Sequence, residues 1–176
     1  MSKAFSRRDF LKATAAAALA VSLSGALTGC GEDAQPAENE AVLGDFKIKL
    51  TNAVTEENST TGGGTSKSEY RVKLKAEITC GDYYKMPSEK IFTASVGDKK
   101  WTLEQPTGNF EIGNELTNKI PTKTKTELSI KAPDDAAWEI FKKGEALKLK
   151  IAVMDQSVVF YLRNVEKDKS VTIKKS

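Results

Sequence analysis

Tyr70-Arg71-Val72-Lys73-Leu74-Lys75-Ala76-Glu77-Ile78-Thr79-Cys80 alternates apolar and polar side chains without a break. Successive side chains of a β-strand point to opposite faces. This period of two therefore puts Tyr70, Val72, Leu74, Ala76, Ile78 and Cys80 on a buried face and leaves Arg71, Lys73, Lys75, Glu77 and Thr79 in solvent. Cys80 belongs to the core set. With no His in the chain and no second Cys beside it to activate a thiolate, it reads as a structural thiol.

The same signature recurs on both sides of this stretch. Phe46, Ile48 and Leu50 alternate with lysines, and the strand they predict begins near Gly44-Asp45. Phe92, Ala94 and Val96 lead into a Gly97-Asp98 turn and a short strand carrying Trp101 and Leu103. Thr126, Leu128, Ile130 and Ala132 alternate again, and Pro133-Asp134-Asp135 then opens a short helix ending near Gly144, with Trp138, Ile140 and Phe141 placed to cap one end of the core. Leu147 to Val153, the turn Met154-Asp155-Gln156-Ser157, and Val158, Phe160 and Leu162 make a further hairpin, with Val171 and Ile173 on a last edge strand. The expectation is all-β: an immunoglobulin-like antiparallel β-sandwich of about seven to eight strands with one short helix. Residues 55–67, 81–89 and 105–121 read as polar loops, and such loops are where a sandwich makes its contacts.

The N-terminal residues carry a separate message. Ser6-Arg7-Arg8-Asp9-Phe10-Leu11-Lys12 resembles the twin-arginine export consensus, with Arg7, Arg8, Phe10 and Leu11 at its defining positions. The apolar stretch at residues 13–27 reads as the signal-peptide helix. It is Ala-rich, interrupted by Thr14, Ser22, Ser24 and Gly25, and short of the roughly 20 apolar residues a spanning helix needs. Leu27-Thr28-Gly29-Cys30 resembles the bacterial lipobox, in which Leu27, Thr28 and Gly29 admit the lipoprotein signal peptidase and the Cys30 thiol takes diacylglycerol. The chain divides on this reading into a signal peptide at 1–29, a lipidated Cys with an acidic flexible tether at 30–43, and a sandwich domain at 44–176. The resemblance implies a lipid anchor on the extracytoplasmic side of a bacterial membrane, with the twin-arginine translocase and the lipoprotein-processing enzymes as partners during maturation. Gly31 does not match the Asp-based signal that retains lipoproteins at the inner membrane of some diderm bacteria, which leaves the outer membrane open in such a cell.

Charge and composition exclude much chemistry. The formal net charge is +3, but Lys3, Arg7, Arg8 and Lys12 against Asp9 account for all of it before Cys30. Beyond Gly44 the body is mildly basic, because residues 31–43 hold Glu32, Asp33, Glu38 and Glu40 and no base. Basic strand faces carry Arg71, Lys73 and Lys75, then Lys148 and Lys150, then Lys123, Lys125 and Lys131. They lack the interleaved aromatics that single-stranded nucleic acids stack on, so no nucleic acid is expected. Instead they read as solvated faces whose lysines discourage edge-to-edge aggregation.

Gly62-Gly63-Gly64-Thr65-Ser66-Lys67 lacks the spacing of a phosphate loop. Asp134, Asp135 and Glu139 sit at a helix start, where acids compensate the dipole, and no loop has the acidic density that calcium requires. Neither a catalytic triad motif nor any cofactor or metal site is found, and no enzymatic activity is expected. Cys30 and Cys80 are the only cysteines, so a lipidated Cys30 leaves no internal disulfide. Such a domain can finish folding in a reducing cytoplasm, which suits a pathway that carries folded cargo.

The start at Gly44-Asp45-Phe46, the run from Thr126 to Ala132 followed by Pro133-Asp134-Asp135-Ala136, and the close at Tyr161-Leu162 together resemble secreted bacterial lipoproteins with a telokin-like, immunoglobulin-type domain. Those families are mostly of unknown function, so the resemblance transfers a fold and no functional residue. The expected role is a membrane-anchored binding or assembly-supporting domain for an unknown protein or envelope polymer. The alternative is an accessory subunit exported together with a cofactor-containing oxidoreductase, and a third reading is hydrolysis by two carboxylates converging in a cleft.

Overall fold

The computed structural model describes residues 37–62, 65–117, 120–165 and 169–176. Strand β1 (Glu40–Leu43) turns at Gly44 and Asp45 into β2 (Phe46–Gly62), which pairs along its length with β3 (Thr65–Cys80). A short strand β4 (Tyr84–Pro87) and helix α1 (Ser88–Ile91) lead to β5 (Phe92–Val96), β6 (Lys99–Gln105) and β7 (Asn109–Ile112). A 3-10 turn then precedes β8 (Thr122–Lys131), helix α2 (Asp135–Lys142), β9 (Leu147–Val153), β10 (Gln156–Asn164) and β11 (Val171–Lys175).

All strand pairings are antiparallel, and nine strands run in the order β1-β2-β3-β8-β6-β5-β9-β10-β11. One strand turns this run into two layers. The first half of β6 pairs with β5 through Trp101↔Ala94, Lys100↔Ser95 and Lys99↔Val96, while its second half pairs with β8 through Thr102↔Lys131 and Leu103↔Ile130. β6 is thus the corner at which the chain changes sheet. On the far side, β2 shifts register between Thr51 and Val54, and beyond that shift Val54 bridges Ser170 while the Thr55 N–H donates to the Lys169 carbonyl. The two layers are therefore linked at both margins.

The core is what the alternation requires. Val72, Leu74, Ala76 and Ile78 of β3 with Leu128 and Ile130 of β8 line one wall, and Phe92, Leu147, Leu149, Ile151, Phe160 and Leu162 line the other, all buried. Cys80 joins them at 1% exposure. Helix α2 closes one end by stacking Trp138 on Tyr70 at 5.1 Å and placing Phe141 5.5 Å from Trp138 and 5.6 Å from Trp101. Such aromatic pairs add about 0.5–1.5 kcal/mol each beyond the area they bury. The Trp138 indole N–H donates to Glu57 at 3.1 Å, so this large ring is buried without an orphaned donor. Asp134 caps the helix by accepting from the Ala137 N–H at 2.7 Å.

The antiparallel β-sandwich class holds, with differences in detail. Eleven strands and two short α-helices are present among the described residues, where seven to eight strands and one helix were expected. Four of the residues read as tether, Glu40–Leu43, form β1, because Ala41 buries against the core while the strand pairs with β2. Gly44, expected to open a strand, is the turn itself at φ +55°. The stretch read as a polar loop at 55–67 is strand for most of its length, continuing the β2–β3 hairpin with register pairs on both sides of Gly63 and Gly64. Backbone pairing needs no apolar side chains, so alternation gave no warning of it. The irregular region at 105–121 contains β7, which pairs with β4 in a separate small sheet. Ile140 does not cap the core; it remains 43% exposed while its neighbours Trp138 and Phe141 face inward.

Candidate functional site

Two of the three candidate loop regions come together. Residues 81–89 and 105–121 are joined at the Cys80 end of β3 by the register Tyr84↔Ile112, Lys85↔Glu111, Met86↔Phe110 and Pro87↔Asn109. The Ser88 N–H also donates to the Gly108 carbonyl at 2.8 Å. This end is knitted by backbone pairing and the packing of Phe110 on Phe92, 5.5 Å apart. The third region, 55–67, leaves β3 at its opposite end as a two-stranded arm.

The outward face of β2, β3 and β8 holds a polar cleft. It has a volume of about 600 Å³ and is lined by Glu56, Glu69, Arg71, Lys73, Glu104 and Glu127 among others. Strand register decides its electrostatics. The Arg71 guanidinium donates from Nε to Glu104 Oε2 at 2.5 Å and from Nη2 to Glu69 Oε2 at 2.6 Å. Lys131 reaches Glu69 at 2.6 Å and Glu104 at 3.8 Å, Lys73 reaches Glu56 at 2.8 Å, and the buried Ser129 hydroxyl lies 3.5 Å from Glu104. Hydrogen bonds from Lys131 and Arg71 pull the Glu69 carboxyl down to about 2, and Lys73 likewise lowers Glu56.

Glu69 and Glu104 are the convergent carboxylates that hydrolysis would require, yet two cations bridge them. The Glu69 carboxyl, held ionised by Lys131 and Arg71, has no proton to donate near neutral pH. Nor do the described residues include a group of three or more His, Cys, Asp or Glu side chains arranged to hold a metal ion. The helix-start acids do not converge either: Asp134 is engaged by Lys99 at 2.8 Å and by the Ala137 N–H, both of which lower its pKa, and Glu139 pairs with Lys142 at 3.5 Å.

Cys80 is inert by environment. Its Sγ accepts from the Asp82 N–H at 3.3 Å, and burial pushes the thiol pKa up, away from the thiolate that would react.

The three basic strand faces split between the layers. Arg71, Lys73 and Lys75 adjoin Lys123, Lys125 and Lys131 through β3–β8 pairing, but acids are interleaved with them. Glu77, for example, lies between Lys123 at 3.1 Å and Lys125 at 3.2 Å. Lys148 and Lys150 lie on the other sheet, on β9. Sequence reasoning missed Glu104 and Ser129, whose importance comes only from β6 pairing with β8. It also missed that the acids interleaved with the bases of β3 and β8 have no counterpart on β9 beside Lys148 and Lys150.

The export and lipidation residues Arg7, Arg8, Phe10, Leu11, Leu27, Thr28, Gly29 and Cys30 lie outside the described residues, as do the signal-peptide helix and the first part of the tether. Among the described residues, no helix is long and apolar enough to cross a membrane.

Residues 4–24 match the family model for the twin-arginine translocation (TAT) pathway signal sequence. The chain is therefore an exported protein that meets the TAT translocase on its way across the cytoplasmic membrane to the cell envelope or beyond. No curated protein matches it. Among solved structures, the chain is similar to an uncharacterized β-sandwich protein from Clostridium difficile 630, at 11% identity and a TM-score of 0.37, covering 78% of this chain and 89% of that one.

Proposed function

We propose that this exported protein is a lipoprotein anchored through diacylated Cys30 on the extracytoplasmic side of a bacterial membrane, where its sandwich acts without catalysis by binding or supporting an assembly. The observation that carries the proposal is the placement of Leu27-Thr28-Gly29-Cys30 directly after the TAT match at residues 4–24. One acyl chain binds a bilayer marginally and reversibly, whereas two anchor it stably, which is what diacylation supplies. The non-catalytic part is supported by the cleft chemistry, in which Glu69, Glu104 and Glu56 are engaged by Arg71, Lys131 and Lys73. The proposal also keeps the mature domain with the telokin-like lipoprotein domains it resembles.

Metabolic labelling with a fatty-acid analogue tests the anchor: wild-type chain takes label and fractionates with membranes, and Cys30→Ala takes none and is released. Label retained by Cys30→Ala would refute the anchor. Replacing Arg7 and Arg8 together by Lys should leave the precursor in the cytoplasm.

A further inference from the structure

The outer faces of the two layers differ in how their lysines are accompanied. Across β1, β2, β3 and β8, the register places Glu40, Lys49, Glu77 and Lys125 side by side, so charges alternate along the row. The equivalent row on the other layer crosses β6, β5, β9, β10 and β11 and reads Lys100, Ser95, Lys148, Tyr161, Lys174. With neighbouring strands about 4.8 Å apart, it sets a cation roughly every 10 Å over about 19 Å. Lys150 adds a charge two residues along β9, and Arg163 adds another on β10. Strands β5, β9, β10 and β11 contain no Asp or Glu at all.

Lys100, Lys148 and Lys150 are exposed and enter none of the ion pairs among the described residues. The acid that does meet this face is Glu38, 3.4 Å from Lys174, and it comes from the chain entering the domain. The Glu38 carbonyl accepts from the Lys175 N–H at 2.7 Å, which fixes that entry beside β11 at the margin of the basic face. Seven residues lie between Cys30 and Glu38, so their eight steps reach at most about 28 Å.

We infer that this face is a docking surface for the anionic phospholipid headgroups of the bilayer in which the chain is anchored. The inference rests on the lipidation of Cys30 for its geometry: a short leash ending at the margin of the face keeps that margin near the headgroups. A surface that is open, cationic in rows and given no carboxylate by β5, β9, β10 or β11 complements a plane of phosphates, whereas the alternating face of the other layer carries little net attraction. Ser95, Thr93 and the Tyr161 ring lie among the lysines and supply polar contact at headgroup level.

The test uses the full chain carrying Cys30→Ala, so that no lipid contributes, and measures co-sedimentation with phosphatidylglycerol/phosphatidylcholine vesicles. Each lysine near an anionic surface is worth about five-fold in binding, so K148Q/K150Q added to that chain should bind about 25-fold more weakly than the parent, with the difference vanishing at high salt. K123Q/K125Q, which removes two cations already paired with Glu77, should bind like the parent. The leader is common to all three chains and cancels from the comparison. Parent-level binding by K148Q/K150Q, equal weakening of both doubles, or a preference of the parent for soluble poly(glycerol phosphate) over vesicles would each overturn the inference. Fatty-acid labelling of the wild-type chain reports separately on Cys30, so failure of the anchor and failure of the face are told apart.

Discussion

Arg71 on β3 and Glu104 on β6 are joined across the whole width of β8, with Nε 2.5 Å from Oε2 although another strand lies between theirs. The pair ties the strand that changes sheet to the centre of one layer. Arg71 is 15% and Glu104 29% exposed at the side chain, which puts the contact between a surface bridge and a buried one.

Replacing Arg71 by Met removes the fork and leaves Glu69 and Glu104 facing each other. Urea unfolding should show a loss of about 1–2 kcal/mol, and R71M/E104Q should lose less than the sum of the single variants, with a coupling of about 1 kcal/mol. Strict additivity would show that the bond does not link the strands energetically. Arg71→Lys should behave nearly as R71M does, because an ammonium cannot reproduce the two-pronged geometry.

Glu69 provides a pH signature. Its folded-state pKa of about 2 lies below the ordinary 4.5, so its contribution is present above pH 4.5 and is lost as the pH falls through the interval down to 2. Wild-type protein should therefore lose more stability than Glu69→Gln between those values, measured by denaturant melts at each pH. Parallel curves would contradict the assignment.

Helix α2 supplies a contrast within two adjacent residues. Phe141 is fully buried, and F141A should cost about 3–5 kcal/mol. Ile140 faces water, and I140A should stay within about 0.5 kcal/mol. Thermal melts of the two variants decide the helix orientation.

Gly113 holds the loop cluster at the Cys80 end together. It sits at φ +82°, and a Cβ there would lie 2.3 Å from the Asp82 carbonyl oxygen. Gly97 also has positive φ, at +52°, but nothing within 4 Å of the added carbon. G97A should lose about 1–2 kcal/mol for the left-handed conformation alone, while G113A should lose clearly more, because backbone must also move.

Cys80 should resist thiol reagents in the native state. In a Cys30→Ala chain it is the remaining cysteine, and maleimide labelling should proceed only after denaturant is added. Rapid labelling without denaturant would mean that β3 opens locally at its end.

Much of this architecture was legible in side-chain order. The run from Tyr70 to Cys80 assigns every residue to its observed side, because burial on one face enforces the period of two. Asp134 was readable as a cap because only its short carboxylate at that position reaches the Ala137 N–H. What stayed hidden depends on pairing rather than patterning. Residues 58–62 continue the backbone register through a polar stretch with no alternation, the four residues of β1 offer one buried side chain as a signal, and β6 reads as an ordinary short strand although its halves serve different sheets. The candidate surfaces were least legible of all. Lys73 and Lys148 occupy alike positions in alike strands, and only register shows that one faces Glu56 while the other stands between Ser95 and Tyr161.

The union of Thr55 with Lys169 has a consequence in time. These residues are 114 positions apart, and at synthesis rates of about 5–20 residues per second the second follows the first by roughly 6–23 s. Until then the edge of β2 at Val54 and Thr55 is open, ready to pair with a neighbouring chain. The export signal at residues 4–24 precedes both partners, so it is legible before this margin of the sandwich can close. The fold is therefore incomplete at this margin until Lys169 has been made, and anything that shields that edge during the interval protects the yield of exported protein.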